Sequence, residues 1–127
     1  MTVTINAVAS TGLVQTSDGS GVVKLQSNGV TTNALAWVNF AGASGTRNAN
    51  YNVSSVTRSA TGTYTINFAT TLSDANYCVS ASAGDSSTDA RICTVFSLST
   101  ASCIIYVRTV GNVLFDATTV SVSIFGN

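Results

Sequence analysis

Alternation of apolar and polar residues with a period of two is the feature that most constrains this chain. The clearest example is Thr63–Phe68, in which Tyr64, Ile66 and Phe68 alternate with hydroxyl and amide side chains. Successive side chains of a β-strand point to opposite faces, so this run predicts a strand with one buried face. Because β-branched residues are frequent and the strong helix formers are scarce, the pattern predicts an all-β chain.

Similar runs, bounded by small polar turns, recur at intervals of roughly a dozen residues, as in antiparallel sandwiches. We predict strands over residues 34–40, 51–58, 63–68, 77–83, 91–97, 102–109 and 118–125. Residues 51–68 and residues 91–109 are each expected to form an antiparallel hairpin. The predicted fold is therefore an antiparallel β-sandwich of about seven or eight strands.

The first quarter of the chain has a weaker pattern. Residues 1–33 contain short alternating pieces separated by turn-forming stretches such as Asn28-Gly29, which suits a two-residue hairpin turn. We predict an extended N-terminal arm over residues 1–33 that serves oligomerisation or docking. Residues 34–127 are predicted to form the β-sandwich domain, with a single core, since 127 residues would divide poorly between two.

The alternation also selects a candidate core. We expect the following residues to be buried: Leu35, Trp37, Val53, Tyr64, Ile66, Phe68, Val79, Ile92, Phe96, Ile104, Tyr106, Val120, Val122 and Ile124. Flat aromatic rings also stack on sugars, so Trp37, Tyr51, Tyr64 and Tyr77 have a second interpretation as a sugar-binding surface. Tyr64 and Tyr77 lie in phase with apolar neighbours, which favours the core, whereas Tyr51 is the least settled of the four.

Charged residues make up only 8% of the chain, against about 25% in an average soluble protein, and the net charge is zero. Weak self-repulsion favours association, and no proline guards the strand edges. We therefore expect the chain to cover part of its surface with copies of itself or with other proteins, and a monomer whose surface is coated with serine and threonine is the alternative. The five cations are scattered, which argues against nucleic acid as a partner. They are Lys24, Arg47, Arg58, Arg91 and Arg108.

The residues needed for common catalytic chemistry are few, since the chain has neither His nor Glu. Gly84-Asp85-Ser86 resembles the nucleophile block of some ester hydrolases, but no base is present to activate the serine. Asp85 and Asp89 suggest a weak calcium site, for which a solvated loop is the simpler interpretation because calcium requires six or more oxygens. We predict no enzymatic activity, no metal and no cofactor, with a polysaccharide hydrolase as a remote alternative.

Three cysteines, Cys78, Cys93 and Cys103, form no zinc-like spacing, and an odd number suits a disulfide framework poorly. We expect buried reduced thiols, with one disulfide as the alternative. Residues 1–6 lack the pattern of a signal peptide, and no run approaches the ~18 apolar residues of a membrane helix. Folding in a cytoplasm and no membrane insertion are therefore expected.

Two stretches resemble a known group of proteins. Residues 11–29 resemble the lead-in segments of bacteriophage tail-fibre proteins. Residues 34–82 resemble a β-module of phage and prophage virion proteins. The motifs of that module, in order, are Trp-Val-Asn-Phe, Tyr-Asn-Val-Ser-Ser-Val-Thr, Gly-Thr-Tyr-Thr-Ile-Asn-Phe and Asp-Ala-Asn-Tyr.

The resemblance implies a virion appendage domain, typically a homotrimer, assembled in the host bacterial cytoplasm. The first functional hypothesis is a tail-fibre or receptor-binding module whose partners are itself, other virion proteins and a host surface glycan or protein. The alternative is a capsid decoration protein that binds neighbouring capsid subunits by strand addition. Residues 41–49 and 84–90 are the predicted contact loops, and their candidate residues are Ser44, Arg47, Asn48, Asp85, Ser86 and Asp89.

Overall fold

A computed structural model describes residues 26–27 and 30–126, and over these residues the chain forms ten strands and no helix. The strands are β1 (Gln26–Ser27), β2 (Val30–Thr31), β3 (Ala36–Phe40), β4 (Arg47–Tyr51), β5 (Val53–Ala60), β6 (Thr63–Phe68), β7 (Cys78–Gly84), β8 (Arg91–Leu98), β9 (Ser102–Thr109) and β10 (Thr119–Phe125). The predicted all-β class is confirmed.

Eight of the strands form two antiparallel four-stranded sheets that face each other as a sandwich. The first sheet has the order β4-β3-β10-β7, and the second sheet has the order β5-β6-β9-β8. Both predicted hairpins are present, as β5–β6 and β8–β9. The strands β7 and β8 are the sheet edges on one side of the sandwich, and β4 and β5 are the edges on the other.

The core lies between the two inner faces and follows the alternation of the central strands. Its central members are Ala36, Val38 and Phe40 of β3, Tyr64, Ile66 and Phe68 of β6, Cys103, Ile105 and Val107 of β9, and Val120, Val122 and Ile124 of β10. The rings of Phe40 and Tyr64 meet edge to face across the sheets, with their centroids 5.0 Å apart. Such contacts add to the free energy gained by burying these side chains.

The predicted core is correct for some strands and wrong for others. Seven predicted core residues are buried, and Leu35 and Val79 are partly buried against them. The seven are Val53, Tyr64, Ile66, Phe68, Val120, Val122 and Ile124. Trp37, Ile92 and Phe96 are instead exposed, and Ile104 and Tyr106 lie on the outer face of β9. Both faces of β3, β8 and β9 are apolar, so alternation alone does not decide which face turns inward.

The predicted strand over residues 51–58 divides at Asn52. Tyr51 ends β4 in the first sheet and Val53 begins β5 in the second, so the chain crosses between sheets at one residue. Asn52 has a φ of 52°, which asparagine tolerates better than most residues. Its side chain donates to the Leu35 carbonyl oxygen at 3.1 Å and accepts from the Thr70 backbone N–H at 2.7 Å. The chain thus changes sheets at Asn52, and the pairing of β5 with β6 shifts register just after it, between Val53 and Ser55.

The predicted N-terminal arm falls mostly outside the described residues, so its role stays a prediction. The strands β1 and β2 pair antiparallel on either side of Asn28-Gly29, in agreement with the predicted hairpin. Their pairing with each other makes a small separate sheet.

The three cysteines are free thiols in different environments. Cys103 is completely buried and Cys93 is half-buried, but Cys78 is exposed on β7, so the expectation of three buried thiols is wrong. Burial raises the pKa of Cys103 to about 12 and also raises the pKa of Cys93. Only a thiolate attacks a disulfide reagent. Burial therefore slows the reaction of these two thiols in two ways, since it lowers the fraction of thiolate and blocks the access of the reagent.

We therefore expect one of the three thiols, that of Cys78, to react fast with an aromatic disulfide reagent in the native, reduced protein. The rate is measured from thiolate release, and denaturant is then added to titrate the remaining thiols. Cys78→Ser should remove the fast phase and leave the slow phases unchanged. A fast phase that survives this substitution would show that a half-buried or buried thiol is accessible.

Candidate functional site

The connections that contain the predicted contact residues lie at one end of the sandwich. The start of β10 pairs with the end of β3 and with the end of β7, as Val120 lies opposite Phe40 and Thr119 opposite Gly84. Residues 41–46, 61–62, 85–90 and 110–118 therefore meet there. The Gly42 backbone N–H donates to the Ala117 carbonyl oxygen at 3.0 Å. We call this set of connections the loop end.

A carboxylate that was not among the predicted site residues holds the loop end together. Asp116 Oδ1 accepts from the Tyr64 hydroxyl at 2.8 Å, from the Gly62 backbone N–H at 2.8 Å and from Arg58 Nε at 3.0 Å. Arg58 also contacts the second carboxylate oxygen, which gives a two-pronged ion pair. These contacts join the β5–β6 turn and the core tyrosine to the segment before β10.

The electrostatics of this cluster favour one charge state. The pKa of Asp116 falls from 3.8 to about 2, mainly because Arg58 donates hydrogen bonds to it, with further help from Gly62 and Tyr64 and against the cost of desolvation. The pKa of Tyr64 is raised, first by burial and then by its hydrogen bond to the carboxylate. At neutral pH the cluster is thus a charged pair with a neutral phenol, which suits a structural role.

A second ion pair lies in the connection between β7 and β8. Arg91 Nη2 lies 3.0 Å from Asp85 Oδ2, and only 5% of the Arg91 side chain is exposed. Its guanidinium lies 4.2 Å from the centre of the Phe115 ring, in a cation–π arrangement. The hydrogen bond from Arg91 is the main reason why the pKa of Asp85 is lowered. Asp85 therefore anchors the connection from inside and is mostly withdrawn from solvent.

The remaining predicted residues of these connections are exposed. Ser44 Oγ donates to Thr46 Oγ1 at 2.8 Å within the β3–β4 turn. Ser86 lies beside Asp85, and Asp89 is 72% exposed at 4.0 Å from Arg91 Nη1. Ser44, Ser86 and Asp89 are thus exposed residues of the loop end, and their role as contact residues stays a prediction.

Arg47 and Asn48 belong to strand β4 and not to a loop, which corrects the predicted loop over residues 41–49. The Arg47 guanidinium donates to the Val53 carbonyl oxygen at 2.5 Å and lies 3.5 Å from Asn50 Oδ1. Asn48 Nδ2 donates to Asn39 Oδ1 at 2.8 Å on the neighbouring strand. Both side chains are occupied by contacts within the chain.

The described residues contain no group of three or more side chains of the kinds that hold a metal ion. Asp85 faces Arg91, while Asp89 is mostly exposed, so the two carboxylates do not converge on one point. The calcium interpretation of these two residues therefore gains no geometric support.

The second sheet carries large apolar side chains on its outer surface, where polar residues were expected. We call Ile92, Phe96, Ile104 and Tyr106 of β8 and β9 the apolar strip. Phe96 is 63% exposed and Ile92 is 44% exposed. The Phe96 and Tyr106 rings lie 4.8 Å apart at an angle of 34°, and Arg108 lies over the Tyr106 ring at 5.2 Å. Val95 and Leu98, at the edge of the sandwich, are also exposed, at 45% and 37%.

Of the four aromatic residues that had both a core and a sugar-binding interpretation, two are buried and two are exposed. Tyr64 and Tyr77 are buried, and the Tyr77 hydroxyl donates to the carbonyl oxygens of the β8–β9 turn, at 3.0 Å from Ser99 and 3.1 Å from Ser102. Trp37 and Tyr51 are exposed on the outer face of the first sheet. Phasing with apolar neighbours correctly predicted the burial of Tyr64 and Tyr77, and Tyr51, the least settled of the four, is exposed.

No protein-family model matches this chain, and comparison with curated proteins and with solved structures also finds no significant match. In the described part of the chain there is no helix long and apolar enough to cross a membrane. The function is therefore inferred from the residues and their geometry.

Proposed function

We propose that this chain is a non-enzymatic structural protein of a bacteriophage virion, a tail-fibre or receptor-binding module that acts as an oligomer. The observation that carries the proposal is the apolar strip, exposed on a chain in which only 8% of residues are charged. The resemblance of residues 11–82 to phage fibre modules supplies the virion context and the expected homotrimer. Assembly takes place in the host bacterial cytoplasm, together with other virion proteins.

The strip has the composition of a protein contact. The centres of protein interfaces are enriched in aromatic residues and arginine and depleted in acidic residues, and Phe96, Tyr106 and Arg108 fit that description. Burying one large apolar side chain contributes about 1.5 to 3 kcal/mol, so a few such residues supply useful association energy. We assign the strip to contacts between copies of this chain.

This assignment predicts that Phe96→Ser weakens self-association at least about tenfold, since it removes the most exposed ring of the strip. Sedimentation equilibrium over a range of protein concentrations measures the effect. Phe125→Ser is the matched control, because Phe125 is an exposed phenylalanine, 41% exposed, on the opposite sheet. Equal association constants for the wild type and Phe96→Ser would remove the strip from the interface.

Adhesion is the activity expected of the oligomer. Several weak sites on one particle bind a cell surface far more tightly than one site, so oligomerisation and attachment support each other. Purified oligomer should compete with intact particles for adsorption to host cells, and monomeric Phe96→Ser should compete poorly. Particles that adsorb equally well in excess oligomer would contradict the receptor-binding proposal.

Strand β8 gives specific support to the alternative, a capsid decoration protein. It is an eight-residue edge strand without proline or lysine, interrupted by one register shift between Val95 and Ser97, and an edge strand can accept a strand from a partner. A decoration protein should bind empty capsids and protect them against heat or low salt, while its loss leaves adsorption intact. Binding to capsids together with unchanged adsorption would favour the alternative over the fibre module.

A further inference from the structure

The outer face of the first sheet carries an exposed aromatic pair. Trp37 of β3 lies directly opposite Tyr51 of β4 in the sheet register, and the two side chains are 38% and 47% exposed. Trp37 points outward because its neighbours Ala36 and Val38 fill the core. Residues in directly opposite positions have Cβ atoms about 5 Å apart, so the two side chains start from adjoining points of one surface.

A third ring extends this surface across the next strand. Phe125 of β10 is 41% exposed, and it lies one outward position beyond Ser123, the residue opposite Trp37. Diagonal neighbours of this kind are about 7 to 8 Å apart. We call Trp37, Tyr51 and Phe125 the aromatic platform, which spans three adjacent strands, or roughly 10 Å.

Hydroxyl and amide groups border the platform beside Trp37, and the exposed thiol of Cys78 lies opposite Phe125. Ser123 and Ser80 continue the row of Trp37 across β10 and β7, and Ser121 and Ser82 follow Asn39 in the next row. Asn39 Nδ2 donates to Ser121 Oγ at 2.9 Å, while its oxygen accepts from Asn48 at 2.8 Å. This amide is held in place by its neighbours and fixes the polar border of the platform.

The first sheet is almost free of charge. Arg47 is the one charged residue in its four strands, and its guanidinium turns to the Val53 carbonyl oxygen in the β4–β5 link. A surface with a single, internally paired cation is poorly suited to nucleic acid or an anionic polymer. Its flat rings beside hydroxyl and amide groups differ from the aliphatic and aromatic apolar strip of the second sheet.

We propose that the aromatic platform binds a neutral glycan. One face of a pyranose ring presents C–H bonds and is apolar enough to lie on an aromatic ring, while its hydroxyl groups at the rim exchange hydrogen bonds with serine and asparagine side chains. Rings on three adjacent strands suit an oligosaccharide better than a single sugar. The inference deepens the proposed adhesive function, on which its biological meaning rests, and places the receptor contact on a sheet face rather than on the loop end.

Trp37 is the only tryptophan in the chain, so its fluorescence reports directly on the platform. The full-length protein is screened against immobilised neutral polysaccharides, namely a glucan, a galactan, a mannan and an N-acetylglucosamine polymer, with an anionic polysaccharide for comparison. We expect binding to a neutral member and a shift of the tryptophan emission when that glycan is titrated in solution. Trp37→Ala and Tyr51→Ala should each weaken binding about tenfold, whereas Trp37→Phe should retain most of it.

Two control variants distinguish binding at the platform from binding at the loop end. Ser86→Ala and Asp89→Asn change exposed predicted contact residues at the loop end, and they should leave glycan binding intact. Circular dichroism and the sedimentation mass of each variant verify the fold and the oligomer. The inference is overturned if no neutral glycan binds, if the loop-end variants lose binding while Trp37→Ala keeps it, or if Trp37→Ala dissociates the oligomer. If the protein binds a glycan but an antibody against it labels no virion, the proposed function is contradicted and the glycan-binding platform is retained.

Discussion

Gly62→Ala is expected to lower the free energy of unfolding by about 3 kcal/mol or more, because it combines backbone strain with a steric clash. Gly62 has a φ of 62°, in the left-handed region that disfavours residues with a Cβ atom. An added Cβ would lie 2.5 Å from the Val107 carbonyl oxygen and 2.6 Å from the Phe115 nitrogen. Both obstacles are backbone atoms, so relief requires the loop end to move.

Gly84→Ala is the matched control, since no atom lies within 4 Å of the position that its Cβ would occupy. We expect its effect to stay within about 0.5 kcal/mol. Urea denaturation of the three proteins at one concentration measures the difference. Similar midpoints for Gly62→Ala and the wild type would mean that the β5–β6 turn does not fit against residues 107–115 as closely as described.

Asp116→Asn is expected to destabilise the protein by about 2 kcal/mol at neutral pH, because it removes the charge that Arg58, Tyr64 and Gly62 jointly satisfy. Asp89→Asn, at a carboxylate that is 72% exposed, should change the stability little. Denaturant unfolding at pH 7 provides the comparison. Equal losses from the two substitutions would show that the Asp116 cluster contributes no more than a surface charge.

Comparison of the wild type with Asp116→Asn also tests the pKa of Asp116. In the folded chain that pKa is lowered to about 2 from 3.8, so ionised Asp116 favours the folded state. Its contribution is complete above about pH 4 and is lost as the pH falls through the folded value of about 2. The stability gap between the wild type and Asp116→Asn should therefore narrow between pH 4 and pH 2. A gap that stays constant over this range would contradict the lowered pKa.

The sequence was a good guide where one face of a strand was polar. In β6, threonine and asparagine alternate with Tyr64, Ile66 and Phe68, and the structure buries those three. Strand β10 behaves in the same way up to Ile124, with serines facing outward between Val120, Val122 and Ile124, and only its last residue, Phe125, adds an apolar side chain to the outward face. In these strands burying the apolar face leaves no large apolar residue of the alternating run in water, so only one orientation is favourable.

Alternation was a poor guide where both faces of a strand were apolar. In β9 the sequence offers Ile104 and Tyr106 on one face and Cys103, Ile105 and Val107 on the other, and the structure buries the second set. In β3 the larger Trp37 points outward while Ala36 and Val38 point inward. The space between two sheets must fit the side chains of both, so the larger side chain of a strand is not always the buried one. The misassigned residues make up the whole apolar strip, and one of them, Trp37, belongs to the aromatic platform.

The candidate site was predictable only in part. Turn chemistry and polarity located the exposed Ser44, Ser86 and Asp89, but nothing local marks Asp116, whose partners are 52 to 58 positions away in the chain. Asp85 and Arg91 are six residues apart, and their burial depends on Phe115 from a distant segment. Contacts of this kind arise from the topology and cannot be deduced from spacing.

The two outer faces of the sandwich present different chemistry, which fits a protein with two kinds of partner. The apolar strip of the second sheet suits contacts between copies of the chain, and the uncharged aromatic platform of the first sheet suits a sugar surface. Because the two faces are opposite, copies that associate through one leave the other accessible. An oligomer would then present several platforms at once, as adhesion by avidity requires.

Immunogold labelling of intact phage particles with an antibody against this chain tests the proposed virion role most directly. We predict label at the tail or at the fibre tips, in clusters that reflect an oligomer. Label spread over the head would contradict the receptor-binding module and support the capsid decoration protein. Particles that carry no label would contradict the virion role altogether.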